Sequence, residues 1–177
     1  MKNEKFIYFL SLIFLVLIIF ASPTFAESDY VLPYPSSMPG GLSYKFHLIY
    51  ESISKYWYFG DFGQFNYNLK MADKYLVEAK ILFDYKQYLL AVKSLQRSDY
   101  YFINILPSIA RAESKGKNIN QKKIILKEAA EKHIEVLENV EKNIPETFIW
   151  RPEKSQPTIL YLKKTILDAI SVRGNVL

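Results

Sequence analysis

Apolar residues recur every three or four positions in five segments of this chain, which is the spacing of an amphipathic helix. We find no convincing alternation of apolar and polar residues of the kind that indicates a half-buried strand. Matched apolar faces are buried against one another. The pattern therefore predicts an all-α fold, a single-domain helical bundle of four to five helices. The predicted helices span about residues 43–58, 64–83, 85–106, 120–144 and 158–172.

The second and third predicted helices form a central antiparallel hairpin. Their apolar positions step alternately by three and four residues, and only a short break separates them. Asp84 followed by Gln87 matches a capping box that starts the third helix. The inward positions are Leu69, Ala72, Leu76, Ala79 and Phe83 on the second helix and Tyr88, Ala91, Leu95, Ser98, Phe102 and Ile105 on the third.

We expect the other helices to shelter their apolar stripes in the same bundle. In the first helix, Phe46, Ile49, Ile53 and Trp57 share one face, and a glycine-bounded turn at 60–63 ends it. The inward positions of the last two helices are Leu126, Ala130, His133, Leu137, Val140 and Ile144, then Ile159, Leu162, Ile166 and Ala169.

Residues 1–26 have the architecture of a secretory signal. Two lysines precede a 15-residue apolar stretch, Phe6–Phe20, and Ala26 offers a small residue for cleavage. The stretch is shorter than the roughly 20 residues of a membrane-spanning helix. We expect cleavage after Ala26 and an exported protein, secreted or periplasmic. Retention as an N-terminal membrane anchor through residues 6–22 is the alternative.

The segment after the signal is rich in proline and glycine, which prevents a regular element there. We expect an extended lead-in whose Tyr30, Val31, Leu32 and Tyr34 lie on the helical body. The predicted organisation is a signal peptide or anchor at 1–26, a lead-in at 27–42, the helical bundle domain at 43–173 and a tail at 174–177.

Composition removes several classes of function. The chain has no cysteine, which excludes disulfides, thiol catalysis and thiolate metal sites. Beyond residue 26 it carries 21 basic and 17 acidic residues, an excess that attracts anionic surfaces only weakly. Its four arginines form no stripe, and export separates it from nucleic acid, so we predict no nucleic-acid partner.

The two histidines do not indicate a metal site. A carboxylate-bridged metal site in a bundle needs Glu-x-x-His pairs on two helices, but Ala130 stands three residues before His133. We expect His133 to be a packed or rim residue, and His47 to lie at the surface beside Glu51. We predict no catalytic residue, no metal and no cofactor.

Seven aromatic residues fall within twelve positions at 56–67, too many for one helix face to bury. Tyrosine and tryptophan suit half-wet surfaces because each combines an apolar body with a polar tip. The cluster predicts a contact surface for a protein partner or a membrane; the alternative is an aromatic end of the bundle. The candidate residues are Tyr56, Trp57, Tyr58, Phe59, Phe62 and Phe65.

Tyrosines on the third helix suggest a second candidate, a ligand groove edged by Tyr88, Tyr100 and Tyr101. The alternative is that these rings are core residues with their hydroxyl groups at the edge.

Two segments resemble a family of exported or membrane-attached bacterial proteins that is classed as a domain of unknown function. One is the lead-in Leu32-Pro33-Tyr34-Pro35. The other is the helix Leu69-Lys70-Met71-Ala72-Asp73-Lys74-Tyr75-Leu76-Val77-Glu78-Ala79, similar to that family's Leu-x-x-Ala-Asp-Lys-x-Leu-x-Glu-Ala pattern. The resemblance implies an extracytoplasmic helical module without known catalysis, and it transfers no active-site residue.

Together these patterns predict a non-enzymatic exported module, a structural or protein-interaction component at the cell envelope. An extracytoplasmic binding protein that holds a small or polymeric ligand in the tyrosine-edged groove is the alternative. The sequence leaves the partner and the oligomeric state open.

Overall fold

The computed structural model describes residues 30–35, 39 and 42–177. Within them lie six α-helices and one two-stranded sheet, which confirms the all-α helical bundle. In chain order the elements are α1 (Leu42–Ser54), a 3-10 turn (Lys55–Trp57), α2 (Gly60–Asp84), α3 (Tyr88–Ile103), α4 (Ile105–Ser114), α5 (Asn120–Asn143), β1 (Thr147–Trp150), β2 (Thr158–Tyr161) and α6 (Leu162–Gly174).

The hairpin of α2 and α3 is the centre of the molecule, and its turn differs from the predicted capping box. Lys86 takes a left-handed conformation with φ of 60°. The backbone N–H of Gln87 donates to the carbonyl of Leu82 at 2.8 Å, so backbone groups close the end of α2. The Gln87 side chain makes no cap bond, and Asp84 accepts a hydrogen bond from Lys80. The capping-box prediction is therefore wrong.

The predicted third helix is divided in two at Asn104. α3 ends at Ile103, and α4 starts at Ile105 and continues to Ser114, beyond the predicted end. Pro107 is the third residue of α4, where the N–H that proline lacks would have no partner within the helix. The proline thus sits near the start of a helix rather than after the end of one.

The predicted turn at 60–63 is also wrong, because α2 already begins at Gly60. Gly60 has a φ of 70°, which suits glycine, and the chain turns just before it. A Cβ at Gly63 would lie 2.6 Å from the carbonyl carbon of Tyr58. Glycine at position 63 therefore lets the incoming chain pack closely against the first turn of α2.

A short antiparallel hairpin, β1 and β2, corrects the expectation of no strand. Phe148 pairs with Leu160 and Ile149 with Ile159. Phe148 and Leu160 pack on the core, whereas both isoleucines are exposed. Each strand has four residues, too few for a clear alternation in the sequence. The last helix consequently begins at Leu162 rather than at residue 158.

The core is divided into two apolar clusters. One lies between the hairpin of α2 and α3, α5 and α6 and includes Leu76, Leu95, Leu137 and Ile166. The other lies nearer the start of α2 and includes Phe65, Phe102, Ile105, Leu126 and Ala130.

The first helix does not shelter its apolar stripe in the bundle, contrary to expectation. Phe46, Ile49, Ile53 and Trp57 are exposed, while Tyr44, Glu51 and Ser54 are buried. The lead-in behaves as predicted only in part: Tyr30 and Leu32 pack on the body, but Val31 and Tyr34 are exposed.

Candidate functional site

The exposed face of α1 and the turn after it forms an apolar surface, which we call the aromatic stripe. Phe46 is 70% exposed and Trp57 is 63% exposed, and the ring centroids of Tyr50 and Trp57 lie 6.4 Å apart. Buried apolar side chains are the rule in a small bundle, so a continuous exposed row is informative. The stripe consists of Phe46, Ile49, Tyr50, Ile53 and Trp57.

The opposite, polar face attaches α1 to the body. The carboxylate of Glu51 accepts hydrogen bonds from Tyr75 Oη at 2.7 Å and from the ammonium group of Lys74. Tyr67 Oη donates to the backbone carbonyl of Glu51 at 3.1 Å. These bonds satisfy polar groups that would otherwise be buried alone, and they orient the apolar side of α1 outward.

A second set of bonds attaches the start of α1. Tyr44 Oη donates to Glu78 Oε1 at 3.0 Å and accepts from Arg97 at 2.9 Å. Burial, together with the nearby Glu78 carboxylate, raises the pKa of Tyr44 to about 12. Ser94 Oγ donates to the same Glu78 oxygen at 2.6 Å. The hydroxyl group of Tyr44 therefore stays protonated at physiological pH and keeps its hydrogen bond to Glu78.

The predicted aromatic patch overlaps this stripe only partly. Tyr56, Trp57 and Phe59 are exposed as expected, and Tyr58 and Phe62 are half-buried. Phe65 is 1% exposed and packs with Leu69 and Phe102, so its assignment to a surface is corrected. The reason is that α2 starts at Gly60, which places Phe65 on the inward face of that helix.

The predicted tyrosine groove is also corrected at one position. Tyr88 is buried and packs edge-on against Phe148, with ring centroids 4.9 Å apart. Tyr100 and Tyr101 lie elsewhere, between two adjoining clefts of about 360 and 450 Å³ that both residues line. The ring of Tyr101 stacks on Tyr75 at 5.8 Å. We call the two clefts together the tyrosine groove.

A buried polar layer separates the two apolar clusters. His133 Nε2 lies 2.7 Å from Asp73 Oδ1, and Arg173 Nε donates to His133 Nδ1 at 3.1 Å. Because the guanidinium N–H can only donate, Nδ1 accepts and the imidazole proton lies on Nε2, from which it is donated to Asp73. Arg173 also donates to Asp99 at 2.5 Å and to Ser98 at 2.8 Å.

Burial shifts the pKa of two groups in the polar layer. Burial lowers the pKa of His133 below its usual range, and the hydrogen bond to Asp73 opposes that shift. Burial raises the pKa of Asp99, and the charge of Arg173 opposes that shift. Tyr30 of the lead-in donates to the second oxygen of Asp73 at 2.7 Å.

Serine, histidine and aspartate meet in this layer, yet their arrangement does not suit nucleophilic catalysis. Ser98 Oγ donates to the carbonyl of Ala72 and accepts from Arg173, so it does not face His133 as a base. Ser98, His133 and Arg173 are each 0% exposed. No substrate reaches these atoms in this conformation, and the layer supports the bundle.

Basic residues gather around one acidic group at the start of α2. Lys115 and Lys117 donate to Asp61 at 3.0 Å, and through these hydrogen bonds they lower its pKa to about 2. Arg111 lies 3.6 Å from the same carboxylate. This cluster ties the segment after α4 to the start of α2.

The described residues contain no group of three or more histidine, cysteine, aspartate or glutamate side chains that could hold a metal ion. In the same part of the chain no helix has the length and hydropathy needed to cross a bilayer. The apolar stretch at 6–20 lies outside the described residues, as does the expected cleavage point at Ala26.

Sequence reasoning placed Ser98 and His133 inside the bundle but missed Asp73, Asp99 and Arg173. A signal was available, since Ser98 and His133 are polar residues at predicted inward positions of two different helices. A buried polar group needs a hydrogen-bond partner on a neighbouring element. The bonds of Glu51 and Glu78 had no such signal, since neither residue falls on a predicted apolar face.

No family model, no curated protein and no solved structure matches this chain. The resemblance to the exported family of unknown function therefore stays a prediction.

Proposed function

We propose that this chain is a non-enzymatic, exported helical module of the cell envelope that rests on a membrane surface through its aromatic stripe. The observation that carries the proposal is the orientation of α1, which buries its polar face and exposes its apolar face.

The composition of the stripe favours a lipid interface over water. An interfacial helix places tryptophan, phenylalanine and aliphatic side chains in the boundary region and keeps cations at its flanks. Here the exposed cations Lys45 and Lys55 accompany Phe46 and Trp57. Tyrosine and tryptophan are enriched at such interfaces because their rings carry polar tips.

The stripe is large enough for reversible attachment. Five side chains that are about half exposed contribute roughly 1 kcal/mol each on transfer from water. A total of about 5 kcal/mol corresponds to the association of a single myristoyl chain, which binds membranes reversibly. If the apolar stretch Phe6–Phe20 is retained as an anchor, the stripe is a second membrane attachment beside it. If that stretch is cleaved, the stripe alone gives a weak peripheral contact.

The chain length is compatible with both attachments at once. Tyr30, whose side chain is bound to the body, lies ten positions after Phe20. Fully extended, ten residues reach at most about 36 Å. An anchor at 6–20 would therefore hold the body within a few nanometres of the bilayer.

The proposal is tested by depth-dependent fluorescence quenching on the full chain in vesicles that contain lipids brominated on their acyl chains. The Trp150→Phe variant leaves Trp57 as the sole tryptophan. We expect its emission to shift to the blue and to be quenched by the brominated chains. This readout reports on the stripe itself, whether or not residues 1–26 are retained.

The matched control moves the fluorophore to a different exposed apolar site. Leu167 on α6 is also about half exposed, and α6 packs on α3 and α5. The combination Leu167→Trp, Trp57→Phe and Trp150→Phe should remain unquenched. Unquenched Trp57 would overturn the proposal, and a blue shift that depends on protein concentration without vesicles would assign the stripe to a second copy of the chain.

A further inference from the structure

In the part of the chain that the structure describes, the tyrosine groove is lined by cationic and aromatic side chains and not by acidic ones. Its two clefts share Tyr100 and Tyr101, so they form one surface that crosses this pair. No carboxylate lines either cleft among the residues that the structure describes, although acidic and basic residues are nearly balanced in the chain. Two cations line each cleft: Lys93 and Arg97 on one side, and Lys55 and Arg111 on the other.

The surroundings leave the two lysines as the freest of these charges. Arg97 donates to Tyr44, behind which Glu78 is buried, and Arg111 lies 3.6 Å from Asp61. Within the described part of the chain neither Lys93 nor Lys55 forms an ion pair, although the ammonium group of Lys55 lies 4.9 Å from the centroid of the Tyr56 ring. A charge without a local counter-ion attracts an anion from solution most strongly.

The rings of the groove are held in place before any ligand arrives. Tyr101 stacks on Tyr75 and meets the ring of Tyr67 edge-on at 5.9 Å. Tyr100 packs edge-on against Tyr101 at 5.3 Å, yet it remains 64% exposed. A fixed and exposed ring offers apolar contact area with little loss of conformational entropy on binding.

We propose that the tyrosine groove binds an acidic oligosaccharide that lies across Tyr100. The electron-rich face of a tyrosine ring suits the C–H face of a sugar. The amide of Gln96 and the side-chain oxygens of Gln64 and Asn104 can bond hydroxyl groups, while the amide nitrogens of Gln64 and Asn104 already donate to backbone carbonyls. Cations on both sides of the ring pair match a polymer with regularly spaced negative charges. With four arginines in the whole chain, the groove lacks the basic stripe that a nucleic acid requires.

This inference is independent of membrane attachment, and its test contains no vesicles. The full chain, held in non-ionic detergent, is run in native gels that contain polygalacturonate, with neutral dextran gels for comparison. We expect retardation by polygalacturonate alone. The double variant Tyr100→Ala with Lys93→Gln should bind at least tenfold more weakly.

The control double variant, Tyr34→Ala with Lys127→Gln, removes the same groups from exposed positions outside the groove and should bind like the unchanged chain. Circular dichroism checks that each variant remains helical. Equal weakening of both double variants, or no retardation of the unchanged chain, would contradict the proposal. If inorganic phosphate at the same charge concentration releases the protein from polygalacturonate, the groove is a simple anion site, and the proposal of an oligosaccharide ligand is overturned.

Discussion

The first helix and the centre of the bundle differ in which residues they bury: α1 buries its polar face, whereas the central helices bury their apolar faces. α1 is attached by buried polar groups, Tyr44 and Glu51, and leaves its apolar residues in solvent. The central helices bury apolar residues and include one polar layer around His133 and Arg173. In both regions each polar group is placed by a specific partner. The comparison shows that apolar periodicity identified the buried face of the central helices but not that of α1, where polar contacts decide which face packs.

The largest expected effect follows from removing the central cation of the polar layer. Arg173→Met leaves the buried His133 and the partly buried Asp99 without their donor. Breaking a fully buried ion pair costs about 3–5 kcal/mol, and the partial exposure of Asp99 places this loss at the lower end, about 3 kcal/mol. Urea unfolding followed by circular dichroism measures the loss. The control Arg151→Met, at an exposed position, should change the free energy of unfolding by less than about 0.5 kcal/mol. An equal effect of the two variants would show that the polar layer is not a structural centre.

A smaller and local effect is expected at the attachment of α1. Glu51→Ala removes the acceptor of Lys74 and Tyr75, which costs about 1–3 kcal/mol and frees α1 without opening the central hairpin. Hydrogen exchange should speed up at the amides of α1 and stay unchanged in α5. Ile53→Ser, two residues away on the exposed face, should alter neither stability nor exchange by more than about 0.5 kcal/mol. If Ile53→Ser is the more damaging change, the assignment of the two faces is wrong.

The weakest test is the pH dependence of the polar layer. The pKa of His133 is lowered in the folded chain, so below about pH 6.5 the unfolded chain binds a proton that the folded chain does not. The free energy of unfolding should therefore fall as the pH drops below 6.5, by at most about 1.4 kcal/mol per pH unit. Asp99, whose pKa is raised, acts in the opposite direction as the pH falls through its pKa in the folded chain.

Nuclear magnetic resonance isolates this contribution. With His47→Gln in place, the ring signals of His133 should keep the shifts of the neutral form well below pH 6.5. A midpoint at or above 6.5 would show that the imidazole is exposed or charged in the folded protein.

The sequence predicted which helices form the bundle better than it predicted where each helix begins and ends. Steps of three and four placed Leu76, Leu95 and Leu137 correctly in the core, since local periodicity reports the inward face of a long helix. The break at Asn104 and the short strands were missed, because a few residues carry too little pattern to decide between alternatives.

The candidate site was predictable only in part. Aromatic density pointed to Tyr56, Trp57 and Phe59, but it could not separate them from the buried Phe65 without the true start of α2. The cations of the tyrosine groove come from α3, α4 and the turn after α1, and such convergence is a property of packing alone.

The polar layer is completed late during synthesis, because Arg173 follows its partners in the chain. It follows His133 by 40 residues and Asp99 by 74 residues. At about 5–20 residues per second, a ribosome needs roughly 4–15 s to add those 74 residues. During that interval Asp99 and His133 lack the guanidinium group that donates to both of them. The polar layer of a growing chain is therefore complete only once α6 has been made, whichever helices form first.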